Sequence, residues 1–169
     1  VLNLKEGQSF VSSSAMGSMG FALPASIGIA STTGKHVYCL LGDGSLMTAL
    51  SSLWTISREK LPITILIMNN KGYNSISNTQ AKFSESKYYG SNYNSGLPII
   101  DMKSIAKSSG INYSSIQNQS LFIKALNSSE KLPFMMDLMI NEKTIVVPYV
   151  KSILQRNGKI SSNSLNQLE

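Results

Sequence analysis

VYCLLGDGSLMTALSSLWTISREKLPITILIMNN, Val37 to Asn70, is the stretch whose reading decides the fold. It opens with the apolar run Val37–Leu41 and ends with a second, Ile63–Asn69. Each is strand-length and apolar without alternation, as strands buried on both faces of a parallel sheet read. Between them Leu46, Leu50, Leu53, Trp54 and Ile56 recur at three- and four-residue intervals, which predicts one helix over Ser45–Lys60 packed on a sheet. Pro62 then restarts the chain as strand. The unit is strand, helix, strand, with a right-handed crossover expected. A third buried run, FMMDLMI at Phe134–Ile140, supplies another strand. Ser9–Ser13 and Asn112–Ile116 are weaker strand candidates, and Ala22–Ser31, Met102–Ser108 and Ser120–Ser128 are the other expected helices. The class is α/β, a three-layer sandwich with a mostly parallel sheet.

Length and composition agree with one core. The chain has 169 residues, 42% hydrophobic and 14% charged, which excludes global disorder and leaves too little for two ordinary domains. Residues 1–150 are expected to form the domain and 151–169, rich in Ser and Asn, a tail packed on it or on a neighbour. The single Cys39 stands inside VYCLL as a small buried hydrophobe, so a reducing, cytoplasmic setting fits. The net charge of +6 raises nucleic acid as a partner, but the Lys and Arg residues are spread singly with no phosphate-tracking cluster, so no nucleic-acid binding is expected. No stretch approaches the roughly 20 apolar residues of a membrane span, and no membrane partner is expected. VLNLKEGQSF is not built like a signal peptide. It does not begin with Met, so the chain reads as a piece of something longer. The polar, aromatic segment Ser84–Pro98 is a long connection of the kind that carries function or mobility.

The chemistry lies at the two ends of the central unit. Gly42-Asp43-Gly44-Ser45 closes the first strand and opens the helix, Asn69-Asn70 closes the second strand, and 24 residues separate Gly44 from Asn69. In an open α/β sheet both ends lie on the carboxyl edge, where ligands bind. A carboxylate and an amide oxygen suit a hard cation such as Mg²⁺, so Asp43 and Asn70 are expected to bring their oxygens within about 5 Å of each other as ligands of one octahedral ion. Gly-Asp-Gly alone is ordinary turn chemistry. The paired ends carry more.

GDG followed after that interval by NN resembles the signature of thiamine diphosphate (ThDP) enzymes. GSMGFALPASIGIA before it, NNKGYNSISNTQ after it and RNGKISSNSL near the end are similar to the carboxyl-terminal, diphosphate-binding domain of the acetolactate synthase family, whose fold is Rossmann-like. The resemblance implies that Asp43, the Asn70 side chain and the Gly72 carbonyl hold Mg²⁺, and that the strand end at Gly42, the N–H groups of Gly44 and Ser45 and the turn at Tyr73 and Asn74 hold the diphosphate. Glycine commonly stands at the place of Asn74, and Asn is the least costly replacement if that place needs a positive φ. Met19 would prop the cofactor into its bent form, with the Gly17 carbonyl and Met19 N–H bonded to the pyrimidine; the alternative is a core methionine in a Gly-rich turn. Trp54 and the lone His36 read as structural.

In this family a glutamate on a separate amino-terminal domain activates the cofactor. Glu6, Glu59, Glu85, Glu130, Glu142 and Glu169 match no such place, so no catalytic residue is assigned and the chain reads as half an active site. Its implied partner is a pyrimidine-binding domain or subunit, in a homo-oligomer, dimer or tetramer; its substrate is a 2-oxoacid such as pyruvate, decarboxylated before a two-carbon transfer. The resemblance leaves open whether the whole protein carries FAD. The alternatives are a subunit of a split 2-oxoacid decarboxylase and a non-catalytic nucleotide-binding regulatory domain. Acetolactate synthases carry a tryptophan nine residues beyond the second Asn of NN; here that place is Thr79, a departure that suggests a wider pocket for a larger or more polar acceptor such as a keto sugar, the alternatives being drift in a flexible loop with ordinary acetolactate synthesis or simple decarboxylation.

Overall fold

The structure, a computed structural model, describes residues 3–84, 87–127, 132–141, 152–155 and 157–162. Four strands run parallel: β1 (Val37–Gly42), β2 (Ile63–Asn69), β3 (Asn112–Ile116) and β4 (Phe134–Met139), in the spatial order β1-β2-β4-β3. The strands between which Val37–Asn70 was read are neighbours, with Leu41 opposite Ile67 and Gly42 opposite Met68. β4 then lies along the other side of β2, with Ile67 opposite Asp137.

Side chains alternate across the sheet and build two cores. One face carries Cys39, Leu41, Ile63, Ile65, Ile67 and Met135 against Leu23 and Ala30 of helix α1 (Ala22–Thr33), Leu53 and Ile56 of α3 (Ser52–Arg58), and Met102 and Ala106 of α5 (Met102–Ser109). The other carries Phe134, Met136 and Ile116 against Ala125 and Phe122 of α6 (Gln119–Asn127). Helices on both faces of a parallel sheet are the expected three-layer α/β arrangement. Helix ends follow local chemistry. Asp101 caps α5, its Oδ1 accepting the N–H groups of Lys103 and Ser104 at 3.0 and 3.2 Å, and Gly110 ends that helix in the left-handed conformation.

Several expectations are corrected. The single helix over Ser45–Lys60 is two, α2 (Asp43–Thr48) and α3, because Ala49 leaves helical geometry with φ −127°. Trp54 is 46% exposed, not on the buried face: within α3 it stands about 100° round the helix from buried Leu53, on the side away from buried Ile56. Ser9–Ser13 forms no strand; its serines are exposed or nearly so and bind locally, as in the Ser18 N–H to Ser13 Oγ bond of 2.9 Å. β1 is not buried on both faces, since Tyr38 and Leu40 are more than half exposed. Among the described residues it is one of the sheet's two edge strands, and α6 packs over the β3–β4 side of that face. Helix α4 (Asn74–Phe83) was not expected from NSISNTQAKF, which buries no residue and so shows no apolar stripe. Ser128, the last residue of the expected Ser120–Ser128 helix, lies outside the described residues. So do Lys151, Arg156 and residues 163–169, but within the expected tail β5 (Ser152–Leu154) and β6 (Ile160–Ser162) pair as an antiparallel hairpin.

Candidate functional site

β1 delivers Asp43 to the carboxyl edge of the sheet, where it is 3% exposed. Its Oδ2 accepts the Gly72 N–H at 2.9 Å, which ties the end of β1 to the loop after β2. Burial raises the carboxyl pKa; the N–H groups of Gly44, Gly72 and Asp43 itself pull it down, and the negative charge of Asp137 pushes it up again. A neighbouring cation would favour the ionised form at such a place.

The loop after β2 is shaped by the last residue of that strand. Asn69 Oδ1 accepts the Lys71 N–H at 3.1 Å, and Lys71 takes φ +62°, the left-handed conformation. Asn70 sits between them. Its Oδ1 is the one buried side-chain polar atom, among the described residues, with no hydrogen-bond partner. A buried carbonyl oxygen left unpaired costs free energy unless something outside the chain binds it.

Gly72 must be glycine for reasons of space: a Cβ there would stand 2.6 Å from the Ser91 carbonyl oxygen. That carbonyl accepts the Tyr73 N–H at 2.9 Å, and Gly72 pairs with Asn92 in an antiparallel bridge. Residues 87–98 of the polar segment thus fold back on the site. Gln80 of α4 holds them there: its Nε2 donates to the Tyr89 carbonyl at 3.0 Å, and its Oε1 accepts the Ser91 hydroxyl at 2.7 Å. Asn92 caps the short 3₁₀ turn Tyr93–Ser95. Glu85 lies outside the described residues, as do Glu130, Glu142 and Glu169.

Of the residues singled out in the sequence, Asp43 meets Gly72 and Gly44 meets Tyr73. Gly42 ends β1 in extended conformation; Gly44 and Ser45 form the first turn of α2. The Tyr73 ring lies on Gly44 so closely that an added Cβ would stand 2.5 Å from its Cδ1. Gly20, with φ +81°, would set a Cβ 3.2 Å from Ala49 Cβ and 3.4 Å from the Ser45 carbonyl, so the GSMG turn rests against α2. Gly17 in that turn has φ +55°, and Met19 is 45% exposed, not a core methionine. Asn74 is the first residue of α4; the left-handed position in this loop is Lys71, so the substitution of Asn for Gly at 74 meets no strain. Thr79 is exposed on α4 with its hydroxyl donated to the Ser75 carbonyl at 2.9 Å. His36 Nε2 is 2.8 Å from Thr64 Oγ1, and burial lowers its pKa, in keeping with a structural role. Cys39 is buried, its thiol pushed up to about 11 by burial. It does not have the low pKa of a reactive thiol.

Two residues of this region went unnoticed in the sequence. Asp137, 4% exposed, accepts the Asn69 amide at 2.8 Å and the Tyr113 hydroxyl at 2.9 Å. The Tyr113 phenol is pushed up to about 12, first by burial and then by the Asp137 carboxylate. A lone acidic residue inside FMMDLMI was the available signal, since an unpaired carboxylate is not tolerated in a buried strand.

Among the described residues no three His, Cys, Asp or Glu side chains cluster, so a cation here would be shared between Asp43, an amide, main chain and ligand oxygens. That oxygen set is the chemistry Mg²⁺ takes beside a phosphate.

Residues 1–137 match the family model described as thiamine pyrophosphate enzyme, C-terminal TPP binding domain. The chain belongs to this family. Among relatives of this thiamine pyrophosphate domain, an acetolactate synthase large subunit of Porphyra purpurea is 30% identical over 144 residues, 83% of this chain and 24% of the relative. An acetolactate synthase isozyme 2 large subunit of Escherichia coli (strain K12) is 34% identical over 82 residues, 48% of this chain and 15% of the relative. Among solved structures, the thiamine diphosphate-dependent 4-hydroxybenzoylformate decarboxylase of Rhodococcus jostii RHA1 superposes with a TM-score of 0.68 at 26% identity, covering 75% of this chain and 24% of that one. The chain spans about a quarter of the length of the Porphyra purpurea relative and of the Rhodococcus jostii decarboxylase. No helix of its described residues is long and apolar enough to cross a membrane.

Proposed function

We propose that this chain is the diphosphate- and Mg²⁺-binding half of an acetolactate synthase-like active site that decarboxylates a 2-oxoacid such as pyruvate and passes the two-carbon unit to an acceptor. One observation carries the reading: Asn70 Oδ1, buried and unpaired, stands two residues from the Gly72 N–H that binds Asp43. Asp43, Asn70 and the Gly72 carbonyl would hold the ion, and Gly44, Ser45, Tyr73 and Asn74 the diphosphate. Thiamine diphosphate, when bound, would supply the nucleophilic carbon that adds to the 2-oxoacid and the electron sink for the bonding pair that departing CO₂ leaves behind. The chain's own part is to bind and orient. Asp43 and Asn70 fix the diphosphate end, and the GSMG turn, resting on α2 through Gly20, presents Gly17 and Met19 toward the other end.

The activating carboxylate belongs to a pyrimidine-binding domain or partner, in a dimeric or tetrameric cytoplasmic enzyme; a split 2-oxoacid decarboxylase uses the same half-site. Thr79 in place of a large aromatic side chain would leave a wide acceptor pocket, suited to an acceptor larger than 2-oxobutyrate, such as a keto sugar. Titrating the full-length protein with thiamine diphosphate in the presence and absence of Mg²⁺, with ATP as control, tests the cofactor reading: saturable, Mg²⁺-dependent binding of thiamine diphosphate alone is expected, and preference for ATP would favour a regulatory nucleotide domain instead. Comparing pyruvate, 2-oxobutyrate and nucleotide-linked keto sugars as acceptors tests the finer reading, which strong preference for 2-oxobutyrate would reject.

A further inference from the structure

We infer that Asp137 and Tyr113 are positioning residues that set the geometry of the cation site from beneath the sheet edge, through Asn69. The inference rests on the cofactor reading above, since it names what holds the proposed ligand Asn70 in place. The relay is continuous. Tyr113 donates its hydroxyl to Asp137 Oδ2 at 2.9 Å, and Asp137 Oδ1 accepts the Asn69 amide at 2.8 Å. The other end of that amide, Oδ1, accepts the Lys71 N–H at 3.1 Å, and the Gly72 N–H then reaches Asp43 Oδ2 at 2.9 Å.

The chemistry of Asp137 makes the relay directional. An ionised carboxylate only accepts hydrogen bonds, whereas an amide has one accepting and one donating end. With Asp137 beside it, Asn69 must turn its NH₂ inward, which leaves its oxygen outward for Lys71. A flipped amide would set two acceptors face to face at Asp137 and two donors face to face at Lys71. The left-handed φ of +62° at Lys71, uncommon for a residue with a side chain, is thereby held, and with it the placement of Asn70 between Asn69 and Lys71. Neither Asp137 nor Tyr113 needs to touch the ion. Their strands are β4 and β3, far along the chain from GDG and NN, and parallel pairing brings Asp137 opposite Ile67 of β2 and Ser115 of β3.

Outer residues that orient a metal ligand typically change affinity 10- to 100-fold when replaced. The test uses the full-length protein with Mn²⁺ as the spectroscopic probe, bound in the presence of thiamine diphosphate and followed by electron paramagnetic resonance. Hydrogen exchange at the Lys71 amide is measured in the same variants without metal. Asp137→Asn keeps size and shape but removes the acceptor-only character; it is expected to weaken Mn²⁺ at least tenfold and to speed Lys71 exchange. Tyr113→Phe removes one hydroxyl from a partly exposed ring and is expected to weaken Mn²⁺ at least threefold; it decides the matter if Asp137→Asn does not fold. Unchanged Mn²⁺ affinity, with or without a lower melting temperature, would assign a merely structural role and overturn the inference. Weaker Mn²⁺ with unchanged Lys71 exchange would mean that charge alone acts, and overturns it too. Failure of the unaltered protein to bind Mn²⁺ with thiamine diphosphate would overturn the cofactor reading, and this inference with it.

Discussion

Gly72→Ala concentrates the site's geometry into one methyl group. The new Cβ would stand 2.6 Å from the Ser91 carbonyl oxygen, where ordinary contact begins near 3.4 Å. The two segments must therefore part by up to 0.8 Å, the difference of those distances. That carbonyl is the acceptor of the Tyr73 N–H at 2.9 Å, and the same separation stretches this bond past hydrogen-bonding range. One lost backbone bond costs about 1 kcal/mol and overpacking against main chain about 1 to 3 kcal/mol, so the variant is expected to lose about 2 to 4 kcal/mol. For a chain of this size each kcal/mol moves the midpoint by roughly 2 to 4 °C, which predicts a fall of roughly 4 to 16 °C in thermal unfolding. The Gly72 N–H also moves off Asp43, so Mn²⁺ titration should show weakened binding in the folded variant. A midpoint within 1 °C of the unaltered protein together with unchanged Mn²⁺ affinity would refute the close approach of the two loops.

Asn70→Ala should separate binding from stability. Its Oδ1 bonds nothing in the chain, so melting should move by less than about 1 kcal/mol equivalent while Mg²⁺-dependent cofactor binding, read by calorimetry, falls at least tenfold. Leu53→Ala, at a fully buried position of α3, is expected to cost about 2 to 5 kcal/mol in urea unfolding, and Trp54→Gln beside it less than about 1 kcal/mol; equal effects would contradict the assignment of Leu53 to the buried face of α3 and Trp54 to its exposed side. Asp101 has its carboxyl held below the usual range, chiefly by the Ser104 hydroxyl and N–H. Its support of α5 should therefore be complete above the ordinary Asp pKa of about 3.9 and disappear as the pH falls through the lower folded value. An NMR titration of that carboxyl with a midpoint above 3.9 would contradict the cap.

The sheet was legible because its buried strands are written as unbroken apolar runs, and Val37–Gly42 and Ile63–Asn69 stand where those runs predict. The site was legible because GDG and NN are local motifs at strand ends. What stayed hidden depends on tertiary contact. The break at Ala49 comes where Gly20, 29 residues earlier in the sequence, rests on Ala49. Helix α4 buries nothing, so no stripe announces it. Asp137 and Tyr113 gain meaning only when parallel pairing sets β4 beside β2 and β3 beside β4. Tyr38 and Leu40 look like core in sequence, and their exposure follows from the edge position of β1.

The pairing of Leu41 with Ile67 and of Gly42 with Met68 has a consequence for how this site can fail. Asp43 follows one strand and Asn70 the other, so the register of β1 on β2 acts as a ruler that sets the carboxylate against the amide. A slip of one residue would turn Leu41 and Cys39 out of the core, and a slip of two would carry Asp43 about 6.6 Å along the sheet, beyond reach of the Gly72 N–H. No intermediate register exists. Misassembly should therefore divide a preparation into molecules with full cation affinity and molecules with none, so that damage lowers the number of sites while the surviving ones keep their strength.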